Sequence, residues 1–182
     1  DEIGKKNGLA SVSPSKPSSL HVVAPDTVSY IDIRKSKDAA TIAYGKGNFR
    51  NAYDLYITKD DFEHQQPLTR LNSQLAPFSW GTAHLVHWKA YDGTPLDGIL
   101  YIPDGVDQTK KYPMISYFYE RRSETLYNFI EPRPSRSTIN LAFYCSRGYV
   151  VFVPDIRYRV GHPGESAYNC IVSGVRSMCQ QF

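Results

Sequence analysis

A continuous run of β-branched and aromatic residues extends from Tyr149 to Val153 and is closed by Pro154. The run is apolar at every position, which predicts a strand covered on both faces, as is typical of parallel sheets. Residues 113–119 (PMISYFY) predict a second buried strand. The two strands therefore favour an α/β architecture for this part of the chain.

The segment between these strands predicts a helix over residues 138–145. Three apolar side chains in it share one face: Ile139, Ala142 and Phe143. Ser137 is the expected N-cap, and Gly148 stands where a helix end favours a left-handed residue. The order strand, helix, strand predicts a βαβ crossover.

The first part of the chain has the pattern of short antiparallel strands. Residues 1–19 are rich in Gly, Ser and Pro and predict irregular structure. Short apolar or alternating runs follow and predict strands at His21–Ala24, Val28–Arg34, Ala40–Tyr44 and Asn51–Thr58. Strands separated by turn residues are typical of an antiparallel all-β unit.

Residues 71–80 form the expected joint between two domains, 1–78 and 79–182. Beyond it, strands at Leu85–Ala90 and Leu96–Ile102 flank Asp92 and Gly93, which predicts a β-hairpin. Residues 120–137 and 155–164 carry prolines, glycines and charges and predict surface loops.

The last predicted element is an amphipathic helix over residues 167–180. Its apolar stripe has helical spacing and consists of Ala167, Cys170, Ile171, Gly174, Val175 and Met178. No strand follows this helix before Phe182, which is an unusual end for a parallel sheet.

Charge and cysteine content narrow the function classes. The net charge is +3 without a dense Lys/Arg cluster, which argues against nucleic acid or an anionic membrane surface as the main partner. No apolar run approaches the length of a membrane span. The three cysteines are Cys145, Cys170 and Cys179, and two of them lie on apolar helix faces. Buried thiols are therefore favoured over a disulfide or a nucleophile.

No complete catalytic set is present. Residues 164–168 (GESAY) come nearest to a nucleophile elbow, but Tyr168 replaces the second glycine, so a helix N-terminus is favoured for Ser166. His84 and His87 are three apart on a predicted strand and should point to opposite faces, so a shared metal ion is not expected. His162 is expected at the surface.

Two residues stand at the carboxyl ends of the predicted parallel strands, where open α/β sheets bind ligands. Asp155 follows one strand and is either a ligand-binding residue or a loop anchor. Tyr119 follows the other, where a phenol could stabilise an oxyanion. From spacing alone, a packed tyrosine is the simpler interpretation of Tyr119.

Several stretches, taken in order, resemble the prolyl oligopeptidase family of serine peptidases, and in particular its dipeptidyl peptidase IV branch. The stretches are Trp88–Pro103, Lys111–Tyr119, Gly148–Asp155 and Gly161–Ala167, which match the first half of the family's α/β-hydrolase domain. Residues 53–75 resemble the closing strands of its β-propeller. The resemblance covers about residues 40–182 and rests on several independent motifs.

The resemblance implies a partial α/β-hydrolase sheet, βαβα after a leading hairpin, preceded by an antiparallel remnant of a propeller. It implies hydrolysis of short peptides near their N-terminus through an acyl-enzyme, with Tyr119 donating to the oxyanion. The catalytic Ser, Asp and His would lie beyond residue 182, so the chain would be an inactive internal segment of a longer peptidase. No metal or organic cofactor is implied, and a periplasmic or secreted location is favoured.

The expected partners are a peptide substrate and the rest of the same polypeptide, and a homo-oligomer is left open. Two other functions remain open on the same residues. One is an esterase or acyl-peptide hydrolase, since a fold alone does not fix its substrate. The other is a binding module without a catalytic triad.

Overall fold

The computed structural model describes residues 3–37, 40–59, 62, 64–107 and 109–182. They divide into two compact units. The first unit runs to Pro77 and includes Tyr127–Phe129, and the second contains Phe78–Leu126 and Ile130–Phe182.

The first unit contains two antiparallel sheets. Strands β1 (Asn7–Ser13) and β2 (Lys16–Asp26) form a hairpin. The remaining four strands form a sheet in chain order: β3 (Ser29–Lys35), β4 (Thr41–Gly47), β5 (Asp54–Lys59) and β6 (Gln66–Pro67). The predicted strands within residues 28–58 and the all-β character of this unit are confirmed.

The irregular structure predicted for residues 1–19 is wrong, because β1 and the start of β2 occupy most of this segment. Residues 1 and 2 of that prediction lie outside the described residues. The prolines and serines of this segment have low strand propensity, so the sequence did not indicate a hairpin. In a two-stranded sheet, however, each strand has one unpaired edge, where the missing N–H of proline is tolerated. The strand predicted at His21–Ala24 is the middle of β2.

An aromatic cluster forms the centre of the four-stranded sheet. Tyr44 is fully buried, and its ring lies 5.6 Å from Tyr30, 6.0 Å from Tyr56 and 5.7 Å from Phe62, measured between centroids. Burial raises the pKa of Tyr44 to about 12. The Lys46 ammonium lies 5.6 Å from the centroid of the Tyr56 ring. Tyr30 and Tyr56 thus both pack against Tyr44 in this unit.

The second unit is built on a mixed sheet of four strands. The strands are β7 (Thr82–Lys89), β8 (Pro95–Ile102), β9 (Met114–Ser116) and β10 (Val150–Pro154), in the order β7-β8-β10-β9. β7 and β8 form the predicted hairpin. β10 pairs parallel to β9 and antiparallel to β8, so the predicted strand–helix–strand unit with parallel strands is confirmed.

Helix α1 (Leu141–Ser146) is shorter than predicted, and its cap differs. Asn140, rather than Ser137, is the N-cap, and its side chain accepts a hydrogen bond of 3.0 Å from the Phe143 N–H. The later start changes the buried face, which consists of Leu141, Ala142 and Cys145, while Phe143 is about half exposed. Gly148 has a φ of 84°, as its predicted place after the helix requires.

Helix α2 (Pro163–Gln181) packs its predicted apolar stripe on one face of the sheet. Trp88 and Phe152 contact each other edge to face there, with ring centroids 5.3 Å apart. The Trp88 indole N–H donates to the Cys170 carbonyl over 3.1 Å. A Cβ atom at Gly174 would lie 2.9 Å from both rings, so this glycine lets the helix approach the sheet closely.

No helix among the described residues combines the length and the apolar character that crossing a membrane requires.

We expect the second unit to lose stability as the pH rises above about 9, because of Cys145. Burial raises the pKa of this thiol to about 12, and the Asp104 carboxylate adds to the effect. The folded state therefore holds the proton that the unfolded state releases near pH 9. The contribution of Cys145 to stability is therefore fully present below pH 9. Above it, the free energy of unfolding falls by up to about 1.4 kcal/mol per pH unit as the pH rises towards 12.

Urea titrations from pH 8 to 10, followed by the fluorescence of Trp80 and Trp88, measure this dependence, since both tryptophans belong to the second unit. The window ends at pH 10 because the buried Tyr101 phenol, whose pKa is also raised, affects stability only above its ordinary value of 10. The Cys145→Ala variant should show a flatter dependence. An equal slope in both proteins would exclude Cys145 as the cause.

Candidate functional site

The carboxyl ends of the parallel strands β9 and β10 lie at the same edge of the mixed sheet. The chain leaves β9 through Tyr117, whose N–H donates to the Phe152 carbonyl over 2.9 Å. Two residues later Tyr119 is 73% exposed, so its phenol is accessible rather than packed in the core. The interpretation of Tyr119 as one more packed tyrosine is therefore wrong.

The residues after β10 bind the segment that carries Tyr119. The Tyr158 hydroxyl donates to the Tyr119 carbonyl over 3.0 Å. The Ile156 N–H donates to the Glu120 carbonyl over 2.8 Å. Tyr119 and its neighbour are thus fixed through their backbone, while the phenol projects from the surface.

Asp155 is the loop anchor at this edge. Its carboxylate is buried, and its Oδ1 accepts from the N–H groups of Arg122 (2.6 Å) and Ser123 (2.9 Å). Its Oδ2 accepts from the Ser123 hydroxyl over 2.5 Å. Three donors thus compensate the burial of one charge. Of the two roles that the sequence left open for Asp155, these contacts favour the loop anchor.

The predicted surface loop at residues 120–137 is wrong in its first part. Ser123–Thr125 forms a 3₁₀-helix, and Ser123 and Leu126 are buried. The local sequence is polar and gives no sign of this burial, because the partner of Ser123 is an aspartate 32 residues away. Ser123 and Tyr158 are the residues of this edge that sequence reasoning missed.

A cleft of about 230 Å³ opens beside Asp155, lined by Pro95, Leu96, Asp97, Arg121, Asp155 and Arg157. Asp97 pairs with His87 over 2.8 Å, and Arg121 pairs with Glu124 over 2.8 Å. Within the described residues, the Arg157 guanidinium makes no hydrogen bond or ion pair. The cleft is polar and can orient a ligand through this cation.

Ser166 lies in the first turn of α2, away from any strand-to-helix elbow. Its hydroxyl donates to the His162 carbonyl over 2.7 Å and accepts from the Arg159 N–H over 3.0 Å. Both contacts stabilise the helix N-terminus, and the side chain is buried. The interpretation of Ser166 as a helix-start residue is confirmed.

The predicted separation of the histidines is also confirmed. His84 contacts the Thr82 hydroxyl, whereas His87 contacts Asp97. His162 is exposed and pairs with Glu165 over 3.2 Å. In the part of the chain that the structure describes, no group of three or more His, Cys, Asp or Glu side chains is arranged to hold a metal ion.

All three cysteines are free thiols, with Cys145 and Cys170 buried and Cys179 exposed. The prediction that two of them are buried thiols is confirmed. The raised pKa of Cys145 keeps it in the neutral form and makes it a poor nucleophile.

No family model and no curated protein matches the chain. Solved structures do match. Pyrococcus horikoshii acylaminoacyl peptidase matches 91% of the chain with a TM-score of 0.66 and 15% identity. Porphyromonas gingivalis dipeptidyl peptidase 4 matches 86% with a TM-score of 0.62 and 13% identity. The AtxE2 isopeptidase in its apo form matches 96% with a TM-score of 0.63 and 11% identity.

The chain shares its fold with a segment of these peptidases. It covers 27%, 22% and 28% of the three solved chains, respectively. At these identities the likeness establishes the fold and leaves the chemistry open. The expectation of a partial peptidase fold is confirmed in this coarse form. The division into propeller and hydrolase domains, the dipeptidyl peptidase branch and the role of Tyr119 remain predictions.

Proposed function

We propose that the chain is a segment of a longer serine peptidase of the prolyl oligopeptidase type, in which Tyr119 donates a hydrogen bond to the substrate oxyanion. The observation that carries the proposal is an exposed phenol at the carboxyl edge of a parallel strand pair, in a fold shared with peptidases. Within the described residues, the Tyr119 hydroxyl has no hydrogen-bond partner, so it is free to donate to a ligand.

The domain assignment is part of this proposal. Residues 1–78 would be the last strands of a β-propeller, and β3 to β6 agree with a blade, which is an antiparallel sheet of four strands. Residues 79–182 would be the first half of an α/β-hydrolase domain. In support, α2 covers the sheet face of Leu100 and Phe152. On the opposite face, Cys145 of α1 lies near Tyr101, the β8 partner of Val151.

The reaction would be acyl transfer to a serine outside residues 1–182. Its hydroxyl attacks the peptide carbonyl, a histidine takes the proton, and the carbonyl oxygen becomes an oxyanion. The Tyr119 phenol and a backbone N–H beside that serine then donate to the oxyanion. When the carbonyl re-forms, the C–N bond breaks, and the amine leaves with the proton from the histidine. A donor placed where charge develops accelerates the reaction because it stabilises the transition state more than the substrate.

Labelling of the longer polypeptide with a fluorophosphonate tests this function. We expect covalent labelling at a serine beyond residue 182, and equal labelling of the Ser166→Ala variant. The 182-residue chain alone should not react. Failure of the intact polypeptide to react, or labelling at Ser166, would contradict the proposal. The first result would favour the binding module.

The substrate class is the second part of the test. Dipeptide amides with a free N-terminus are the expected substrates, and they are to be compared with N-acylated peptides and simple esters. The P. horikoshii neighbour is an acylaminoacyl peptidase by name, which makes N-acylated peptides the main alternative. Faster turnover of acylated peptides would indicate an acyl-peptide hydrolase, and faster turnover of esters would indicate an esterase.

A further inference from the structure

Tyr119 is held almost entirely through its backbone. Its side chain is 73% exposed, and its hydroxyl has no hydrogen-bond partner among the residues that the structure describes. A phenol that must meet an oxyanion within about 3 Å needs a fixed Cα position, because small displacements of a donor remove its effect. The contacts that fix this backbone therefore matter for the reaction.

Four of the five residues from Tyr119 to Ser123, here called the Tyr119 segment, are bound by residues 155–158, which follow β10. Three hydrogen bonds fix Arg122 and Ser123 through the Asp155 carboxylate. A fourth runs from the Ile156 N–H to the Glu120 carbonyl. The fifth runs from the Tyr158 hydroxyl to the carbonyl of Tyr119 itself.

These contacts differ in how much of the fold depends on them. Asp155 and Ser123 are buried, so their replacement would disturb the core of the second unit as well as the loop. Tyr158 is 45% exposed, and the Tyr119 carbonyl is the hydrogen-bond partner of its hydroxyl. Removing this hydroxyl deletes one contact and leaves the ring in place.

We propose that Tyr158 is a positioning residue that holds Tyr119 in the orientation required for oxyanion stabilisation. This inference rests on the function proposed above and extends it to a residue that need not touch the substrate. The Tyr158 hydroxyl contacts the backbone carbonyl of Tyr119, whose phenol donates to the oxyanion. Tyr158 therefore affects turnover only through Tyr119.

A double-mutant cycle on the longer enzyme tests this dependence. We expect Tyr158→Phe to lower kcat about three- to ten-fold with little change in KM. In the Tyr119→Phe background, the same substitution should change kcat by less than two-fold. Equal losses in both backgrounds, or no loss in the otherwise wild-type enzyme, would overturn the inference.

Tyr168→Phe is the matched control. Tyr168 is also largely exposed in the second unit, and its ring contacts Tyr91 rather than the Tyr119 segment. We expect wild-type kcat for this variant. A loss like that of Tyr158→Phe would show a general sensitivity to exposed phenols and would contradict a specific role.

A structural measurement separates failure of this inference from failure of the proposed function. If Tyr119→Phe leaves kcat unchanged, the oxyanion role is excluded, and hydrogen exchange then tests the positioning role alone. Peptides covering residues 117–123 should exchange at least about three times faster in Tyr158→Phe than in Tyr168→Phe. Equal exchange in the two variants would show that Tyr158 does not hold this segment.

Discussion

Replacing Tyr119 with phenylalanine in the longer enzyme is expected to lower kcat about ten- to a thousand-fold, with little change in KM. The phenol would act only once negative charge develops on the substrate carbonyl, so substrate binding should not depend on it. The melting temperature should not change, because within the described residues the Tyr119 hydroxyl makes no hydrogen bond that the substitution would remove. Steady-state kinetics with a dipeptide amide measure both constants.

Tyr91→Phe is a suitable control for this experiment. Tyr91 is half exposed and lies at the β7–β8 turn, where its ring contacts Tyr168 and the Arg176 guanidinium. Its hydroxyl has no hydrogen-bond partner in the described part of the chain, so the two substitutions remove equivalent groups. We expect wild-type kinetics for Tyr91→Phe. A kcat within two-fold of wild type for Tyr119→Phe would remove this phenol from the mechanism.

A rise in KM at constant kcat would have a different meaning. It would indicate that the Tyr119 phenol binds the substrate as tightly as the transition state, which assigns it to recognition rather than oxyanion stabilisation. The position of the residue beyond a parallel strand is compatible with either role. The division of the effect between kcat and KM therefore decides between them.

The sequence predicts the centre of the second unit well because its signals are local. The run at β10 is apolar on both faces, and the stripe of α2 has helical spacing, so burial dictates both patterns. The place of β10 between β8 and β9 depends instead on residues far apart in the chain. Only the strand–helix–strand order indicated part of this arrangement.

The errors occur where contact with another segment, near or far in the chain, determines the local structure. Residues 121–125 (RRSET) are polar and predict a surface loop, but Ser123 is buried, where it donates two hydrogen bonds to Asp155. Residues 7–26 are rich in serine and proline, but pairing between β1 and β2 outweighs their low strand propensity. In each case the local sequence does not predict the structure of the segment, because that structure depends on the residues that the segment contacts.

The candidate site shows the same limit. From spacing alone, a packed tyrosine is favoured over an oxyanion donor at position 119, and the family resemblance reverses that preference. Tyr119 lies three residues beyond Ser116, where β9 ends, and no local pattern indicates that its side chain is exposed. The contact from Tyr158, 39 residues later, has no counterpart in any local pattern.

Gly174→Val should destabilise the second unit by about 3 kcal/mol or more. The new Cβ would lie 2.9 Å from ring atoms of both Trp88 and Phe152, closer than packed carbon atoms approach. Phe152 is fully buried and has little room to move, so α2 must shift away from the sheet. The small gain in helix propensity over glycine does not offset this overpacking. Urea unfolding followed by the fluorescence of Trp80 and Trp88 measures the loss.

Gly164→Val provides the matched control in the same helix. A Cβ at Gly164 meets no atom within 4 Å, so the same substitution adds a side chain in open space. We expect its unfolding midpoint to lie close to that of the wild type, since the changes in helix propensity and exposed area are small. Because both variants carry the same added atoms, their difference isolates the contact with Trp88 and Phe152. Equal midpoints for the two variants would mean that α2 does not pack on this face of the sheet through Gly174.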